Sequence, residues 1–232
     1  VYADHCLLTA NRNVMADINR IFSYLEHPII SRMKLLRQCK TLVVCPTGMR
    51  THFKKLVLEE IKQAMKGHPA SITVKMNSLS DQQMIDMLAG AAKAGVNVQI
   101  VVRGIYCLYS DNKKYKTPVK AISIVDQYLE HSRVLIFHNK GKEKVYLSSA
   151  DWMVRNLDHR IEAAIEITNA AIKQELIDYL NIQLRDNEKA RILDNELQNQ
   201  YVRKKGKSVR SQVEIYNYLH QKTLKQLETG RH

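Results

Sequence analysis

Cysteine is sparse and scattered. Cys6, Cys39, Cys45 and Cys107 show no Cys-x-x-Cys spacing anywhere in the chain. A structural zinc site or a disulfide frame needs paired or clustered cysteines, so both are excluded, and the four thiols read as reduced and partly buried. Long apolar runs are missing as well. None approaches the roughly 20 residues that a membrane-spanning helix needs. The chain opens Val1-Tyr2-Ala3-Asp4-His5, with no Met and no secretory signal, and reads as a piece of a longer protein. Aromatic residues make up 6% of the chain and Trp152 is its single tryptophan, a thin supply of stacking platforms for unpaired bases. No internal repeat is visible.

What is abundant is positive charge. The formal net charge is +13 and the isoelectric point is near 9.6, which calls for a polyanionic partner. Nucleic acid, phosphate-rich small molecules, anionic lipids and inorganic polyphosphate all satisfy that requirement.

Helical periodicity runs through Val14, Met15, Ile18, Ile21, Phe22 and Leu25, with Asn11 or Asn13 as the cap. Pro28 disturbs it at His27, and a basic segment follows (Arg32, Lys34, Arg37, Lys40). Strands are expected at 41–45, 72–76 and 96–102, separated by helices over 49–66 and from Ser80 or Asp81 to Gly95. That alternation predicts an α/β layer with a mainly parallel sheet. The turn Pro46-Thr47-Gly48 ahead of a helix is an anion-binding arrangement in principle, and Arg50 within it reads equally as a solvated helix residue. Arg103-Gly104 sits at the carboxyl end of a strand, where α/β sheets bind ligands, or else the arginine caps nearby carbonyls. The lysine-rich stretch 109–120 is an exposed loop or a lid. Later come a strand over 161–167, a helix from Ile172 to Leu184 and an irregular or frayed polar stretch over 186–207. A terminal amphipathic helix is marked by Val209, Val213, Tyr216, Leu219 and Leu227, with a basic outer face.

The densest chemistry lies between Glu130 and Arg160. Two short runs rich in β-branched and aromatic residues, Val134–Phe137 and Val145–Leu147, flank Asn139-Lys140-Gly141-Lys142, the pattern of a β-hairpin with a Gly at positive φ. His131 and Arg133 stand at the mouth of one strand, and Ser148, Ser149 and Asp151 at the exit of the other. Such groups form either a site or a polar rim.

Several strings together carry a resemblance. They are Tyr2-Ala3-Asp4, Lys75-Met76-Asn77-Ser78-Leu79, Val102-Arg103-Gly104, Ala121-Ile122-Ser123-Ile124-Val125 and Glu130-His131-Ser132-Arg133. Tyr146-Leu147-Ser148-Ser149-Ala150-Asp151-Trp152-Met153, Arg155-Asn156-Leu157-Asp158 and Arg160-Ile161-Glu162 complete the set. On these residues the chain resembles the C-terminal part of the long-form polyphosphate kinase family, over nearly its whole length. The resemblance implies a phospholipase D-like layered α/β domain with a mixed sheet flanked by helices. Residues 1–38 would be the end of a preceding domain with a linking helix, and residues 39–232 the C-terminal domain with its terminal helix. It further implies reversible transfer of the terminal phosphate of ATP to polyphosphate through a phosphohistidine that lies upstream of Val1.

The same resemblance assigns roles by position. Tyr2 contacts the nucleotide, Arg103 and Arg160 bind phosphates, and His131 faces the transferring phosphate. Arg133, Ser148 and Ser149 are supporting groups, and Asp151 either orients His131 or bonds the turn. ATP or ADP and Mg2+ would be the cofactors, with the principal magnesium ligands upstream and none assigned here. The implied partners are inorganic polyphosphate, ATP, the N-terminal remainder of the same enzyme and further copies in a homo-oligomer, with no nucleic acid. The implied location is the cytoplasm or the periphery of the inner membrane. His131-Ser132-Arg133 resembles a HxK motif with Arg for Lys. A strict HxKxxxxD pattern needs Asp at position 138, where this chain has His138, and that departure disfavours the alternative of a phospholipase D-like phosphodiesterase half. A non-catalytic polyanion- or nucleic-acid-binding module is the other alternative.

Overall fold

The apolar runs that follow Lys40 gather into one eight-stranded sheet in a computed structural model, which describes residues 4–26, 33–203 and 206–229. The strands are β1 (Leu42–Val44), β2 (Ser71–Met76), β3 (Asn97–Val102), β4 (Lys120–Ile124), β5 (Arg133–Phe137), β6 (Lys144–Ser148), β7 (Ala163–Glu166) and β8 (Ala190–Ile192). Their order in space is β1-β7-β6-β5-β2-β3-β4-β8. Only β2–β3 and β3–β4 run parallel; the remaining five pairings are antiparallel. The sheet is therefore mixed, as expected, but not mainly parallel. Crossover helices serve the first strands, whereas β5, β6 and β7 follow one another as antiparallel neighbours, which need no crossover.

The flanking helices are α1 (Arg12–Glu26), α2 (Met33–Arg37), α3 (Met49–Met65), α4 (Gln82–Ala94), α5 (Ala170–Gln183) and α6 (Ser211–Thr229). Strand alternation assigns them to faces. Val74, Val98, Ile100, Leu135, Phe137 and Tyr146 point into the core under α3 and α4, whereas Val134 and Val145 face Leu176, Leu180 and Ile215 of α5 and α6. Local signals set the helix ends. Asn11, not Asn13, caps α1, its Oδ1 accepting from the Asn13 and Val14 N–H groups at 2.9 and 3.3 Å. Asp81, not Ser80, caps α4 by accepting from Met84 N–H at 3.0 Å, and Gly95 closes it at φ +98°. Asp17 of α1 is 1% exposed and accepts from the backbone N–H of Lys40, Thr41 and Leu42, fastening the helix to β1.

Three expectations change. Residues 186–207 contain a strand, β8, rather than only irregular chain, because its three residues complete the sheet edge beside β4. Val209 precedes α6 and bonds Asn187 through its N–H; within α6 the residues marked as apolar, Val213, Tyr216, Leu219 and Leu227, are exposed, while Ser211, Gln212 and Ile215 face inward. The hairpin turn places Asn139 and Lys140, as well as Gly141, at positive φ; buried Glu60 of α3 holds it by accepting from Asn139 N–H at 2.6 Å. The stretch 109–120 is an exposed loop pinned to the end of α4, where Lys116 and Thr117 N–H reach Ala92 O at 3.1 and 3.3 Å.

Candidate functional site

Parallel strands end on the same edge of a sheet, and an antiparallel neighbour begins there. The exits of β2 and β3, the entry of β5 and the exit of β6 therefore converge, in the register Lys75↔Val134 and Arg133↔Ser148. The loops beyond them are knitted beneath the site. Leu79 N–H bonds Ile105 O at 2.8 Å, and the N–H groups of Ser80 and Asp81 both reach Trp152 O at 2.9 Å. Gly104 passes so close to the β2 exit that its N–H reaches Asn77 O at 2.8 Å. A Cβ at this position would sit 2.7 Å from that oxygen, so only glycine permits the approach.

The approach brings together three groups distant in sequence. Arg103 donates from Nε to Asn77 Oδ1 at 2.6 Å, and its Nη2 lies 3.1 Å from His131 Nδ1. Nδ1 also lies 3.2 Å from Asn77 Oδ1. Arginine only donates and an amide oxygen only accepts, so Nδ1 accepts from Nη2 when the ring proton is on Nε2 and donates to Oδ1 when it is on Nδ1. Burial, together with the nearby Arg133 and Arg103 cations, lowers the His131 pKa below the usual imidazole value and keeps the ring neutral at pH 7. His131 also borders a cavity of about 300 Å³ shared with Asp4, His5, Ser132, Arg133, Ser148 and Ser149.

The supporting residues turn largely toward the protein. Arg133 forms a fork with Asp151, at 3.2 Å from Nε and 3.0 Å from Nη2, and donates from Nη1 to His131 O at 2.8 Å. Asp151 also accepts from the Asn77 and Ser78 N–H groups at 2.7 and 3.1 Å. Its contacts are therefore to the turn and to Arg133, not to the His131 ring. Ser148 Oγ accepts from Ala150 N–H, and Ser149 Oγ donates to Glu162. Arg160 is exposed beyond a helical turn over Arg155–His159, and does not line the His131 cavity. Tyr2 lies outside the described residues. Position 138 follows the far end of β5, where His138 N–H bonds Ser71 O at 3.0 Å. That is the opposite edge of the sheet from His131, so the residue at 138 bears on the far turn rather than on the chemistry beside His131.

Two arrangements went unread in the sequence. Lys75 is 4% exposed and contacts Asp4 at 3.2 Å, Glu130 at 3.5 Å, and the Ser132 and Tyr179 hydroxyls at 3.2 Å. Burial raises the Asp4 carboxyl pKa, but Lys75 and bonds from Ser132 and His131 outweigh it and hold the group at about 2. A lysine inside an otherwise apolar strand was the available signal, since a buried charge requires partners. Arg50 is not a solvated helix residue: it is clamped between Asp81 and Asp158, the latter at 2.6 Å.

Among the described residues no group of three or more His, Cys, Asp or Glu is placed to hold a metal ion. The carboxylates nearest His131 are already engaged by arginine and lysine. Among the described residues, those beside His131 thus do not fit a magnesium site.

Fold and site together define a class: a mixed-sheet α/β domain with a cationic, donor-rich edge where strand ends meet. The profile of the family described as polyphosphate kinase C-terminal domain 2 matches residues 42–212. A polyphosphate kinase of Vibrio cholerae is 43% identical over 222 residues, covering 94% of this chain and 31% of the relative. That of Escherichia coli K12 is 41% identical over 229 residues, 98% of this chain and 32% of the relative. The crystal structure of polyphosphate kinase from Porphyromonas gingivalis matches with a TM-score of 0.85 at 40% identity, over 92% of this chain and 32% of that one. The chain belongs to the polyphosphate kinase C-terminal domain 2 family, and it spans about a third of the length of the curated relatives it matches.

Proposed function

We propose that this chain forms one wall of a site that reversibly transfers the terminal phosphate of ATP to inorganic polyphosphate. The carrying observation is the Arg103–His131 pair, 3.1 Å apart on the strand edge and backed by Asn77. Phosphoryl transfer asks the protein mainly to position its reactants and stabilise charge on the equatorial oxygens. Arg103 supplies fixed positive charge and a planar set of donors to phosphate oxygens. His131 adds an imidazole beside that guanidinium, a group that hydrogen-bonds phosphoryl oxygens near neutral pH. Lys75, Asp4, Glu130 and Asp151 fix the segments that carry these two groups.

Arg160, Tyr2, Ser148 and Ser149 are proposed as further contacts to nucleotide or phosphate on the family resemblance. The phosphorylated histidine and the magnesium ligands are assigned to the part of the family's architecture beyond this chain, together with homo-oligomer contacts. A cytoplasmic or peripheral inner-membrane location is part of the same proposal. Among the described residues no helix is long and apolar enough to cross a membrane.

His131→Ala and Arg103→Ala, in the protein that carries this chain, are each expected to lower transfer from ATP to polyphosphate by at least about 100-fold, the scale of losing one preorganised donor. Circular dichroism should remain unchanged. Near-normal turnover in either variant rejects the role given to that residue.

A further inference from the structure

The edge that carries Arg103 continues past β3. β4 lies parallel beside β3, and β8 antiparallel beside β4 with Ser123 opposite Arg191. The amino end of β8 therefore falls on the same edge as the exit of β3. At strand spacings near 4.8 Å, the β8 backbone runs roughly 10 Å to one side of β3 and the β5 backbone roughly 10 Å to the other. A groove of about 460 Å³ joins the ends of β3 and β8, with Arg103 and Gly104 at one end and Arg191 and Asn199 at the other.

At the far end Arg191 lines the groove and packs on a ring that stands just outside its lining. Arg191 lies 4.1 Å over the Tyr201 ring and donates to Tyr201 Oη at 2.8 Å and Asn199 O at 3.1 Å. A second guanidinium, from Arg203, sits 4.9 Å from the same ring. Stacking and hydrogen bonds hold Arg191 in place before any ligand arrives, which reduces the entropy lost on binding. Two of its five N–H donors serve the fold in these bonds. Asp194, in the loop between β8 and Tyr201, turns its carboxylate to Gln198 N–H. Two cations gathered on one aromatic ring call for a polyanion that spans both. Tyr201 is 38% exposed, but two guanidinium groups already lie against its ring, which makes it a poorer stacking platform for a nucleobase than an unoccupied ring.

We propose that this groove is a track for the long inorganic polyphosphate chain, leading from the His131–Arg103 site across Arg191 and Arg203. The inference rests on the polyphosphate reading above and assigns to it a second binding region that acts only on long chains. The test measures equilibrium binding of tripolyphosphate, long-chain polyphosphate and ATP to the protein and to Arg191→Gln, Arg203→Gln and the double variant. Arg203→Gln breaks no hydrogen bond of the Tyr201 loop, so it remains informative if loss of Arg191 loosens that loop. The double variant is expected to bind long polyphosphate about tenfold more weakly, with a shallower dependence on salt, and Arg203→Gln should weaken it severalfold. Tripolyphosphate and ATP should bind within about twofold of the parent protein. Equal weakening for short and long chains, or no change for long chains, overturns the track. So does single-stranded DNA that displaces long polyphosphate at equal phosphate concentration and loses affinity in the same variants. Binding is read without turnover: if the longer protein that carries this chain shows the chain-length effect yet transfers no phosphate from ATP, the reaction is refuted while the groove is sustained.

Discussion

At the scale of single residues, the chain uses burial and charge to decide which groups carry protons. His131 and His5 both sit against cations, and both are held neutral, for different ends. His131 stands at the edge of the proposed site, against Arg103 and Asn77. His5 packs edge-on against Tyr179, with ring centroids 4.3 Å apart, and its Nδ1 lies 3.2 Å from the Ser132 hydroxyl. Burial, then the Lys75 cation, pushes its pKa down to about 4. Between that value and the unfolded value near 6.5 the unfolded chain binds the extra proton, so stability rises with pH across this window. From pH 5 to pH 7 His5 accounts for about 2 kcal/mol of that rise, at 1.36 kcal/mol per unit. His5→Phe keeps a ring against Tyr179 and removes the proton. Urea unfolding of the variant at the two pH values is expected to show a pH dependence smaller by about that amount, and an unchanged dependence rejects the assignment.

At the scale of elements, the site depends on how closely two strand ends pass. Asn77 at the β2 exit touches Arg103, His131 and Gly104 together, so the loop geometry and the chemical groups cannot move independently. Gly104→Ala places a methyl 2.7 Å from Asn77 O and 3.1 Å from Ser78 Oγ, and the backbone must give. The expected cost is about 1–3 kcal/mol in stability, as for other overpacked positions. Turnover should fall by at least about tenfold through displaced Arg103, read by thermal melting beside an assay of phosphate transfer. A variant normal in both would show that the close approach is dispensable. Much at this scale is legible beforehand. The apolar runs of β2 and β3, the Asp81 cap and the Gly95 stop are local signals whose physics acts within a few residues. β8 was not legible, since Ala190-Arg191-Ile192 is too short to show a period and becomes a strand only by pairing with β4. The buried faces of α6 were misread for a similar reason: the packing of Ile215 against α5, not the apolar stripe, sets the helix's rotation.

At the scale of the whole molecule, the chain is about a third of the length of its polyphosphate kinase relatives. It offers donors and cations for a phosphate but, among the described residues, no metal-binding cluster. With the phosphorylated histidine assigned, in the proposal above, to residues outside this chain, the isolated chain is expected to take up no covalent label from γ-labelled ATP, while still binding polyphosphate in a salt-sensitive manner. Acid-labile label on this chain would refute the assignment of the phosphorylated histidine to residues outside it.

The sequence alone determined the strand and helix runs around the central sheet, the net charge that demands a polyanion, and the family likeness in strings such as Tyr146–Met153. All of these are properties of residue identity or of near neighbours along the chain. Only the tertiary structure decided that most strand pairs run antiparallel, that Arg103 meets His131, that Arg133 turns to Asp151, and that Arg160 stands apart from the His131 cavity. The same holds for the buried Lys75 network, whose bonds to Asp4 and Ser132 span 71 and 57 residues. Contacts over such separations form because strand ends share an edge and because a buried charge must find its counterpart. Neither condition leaves a periodic mark in the sequence.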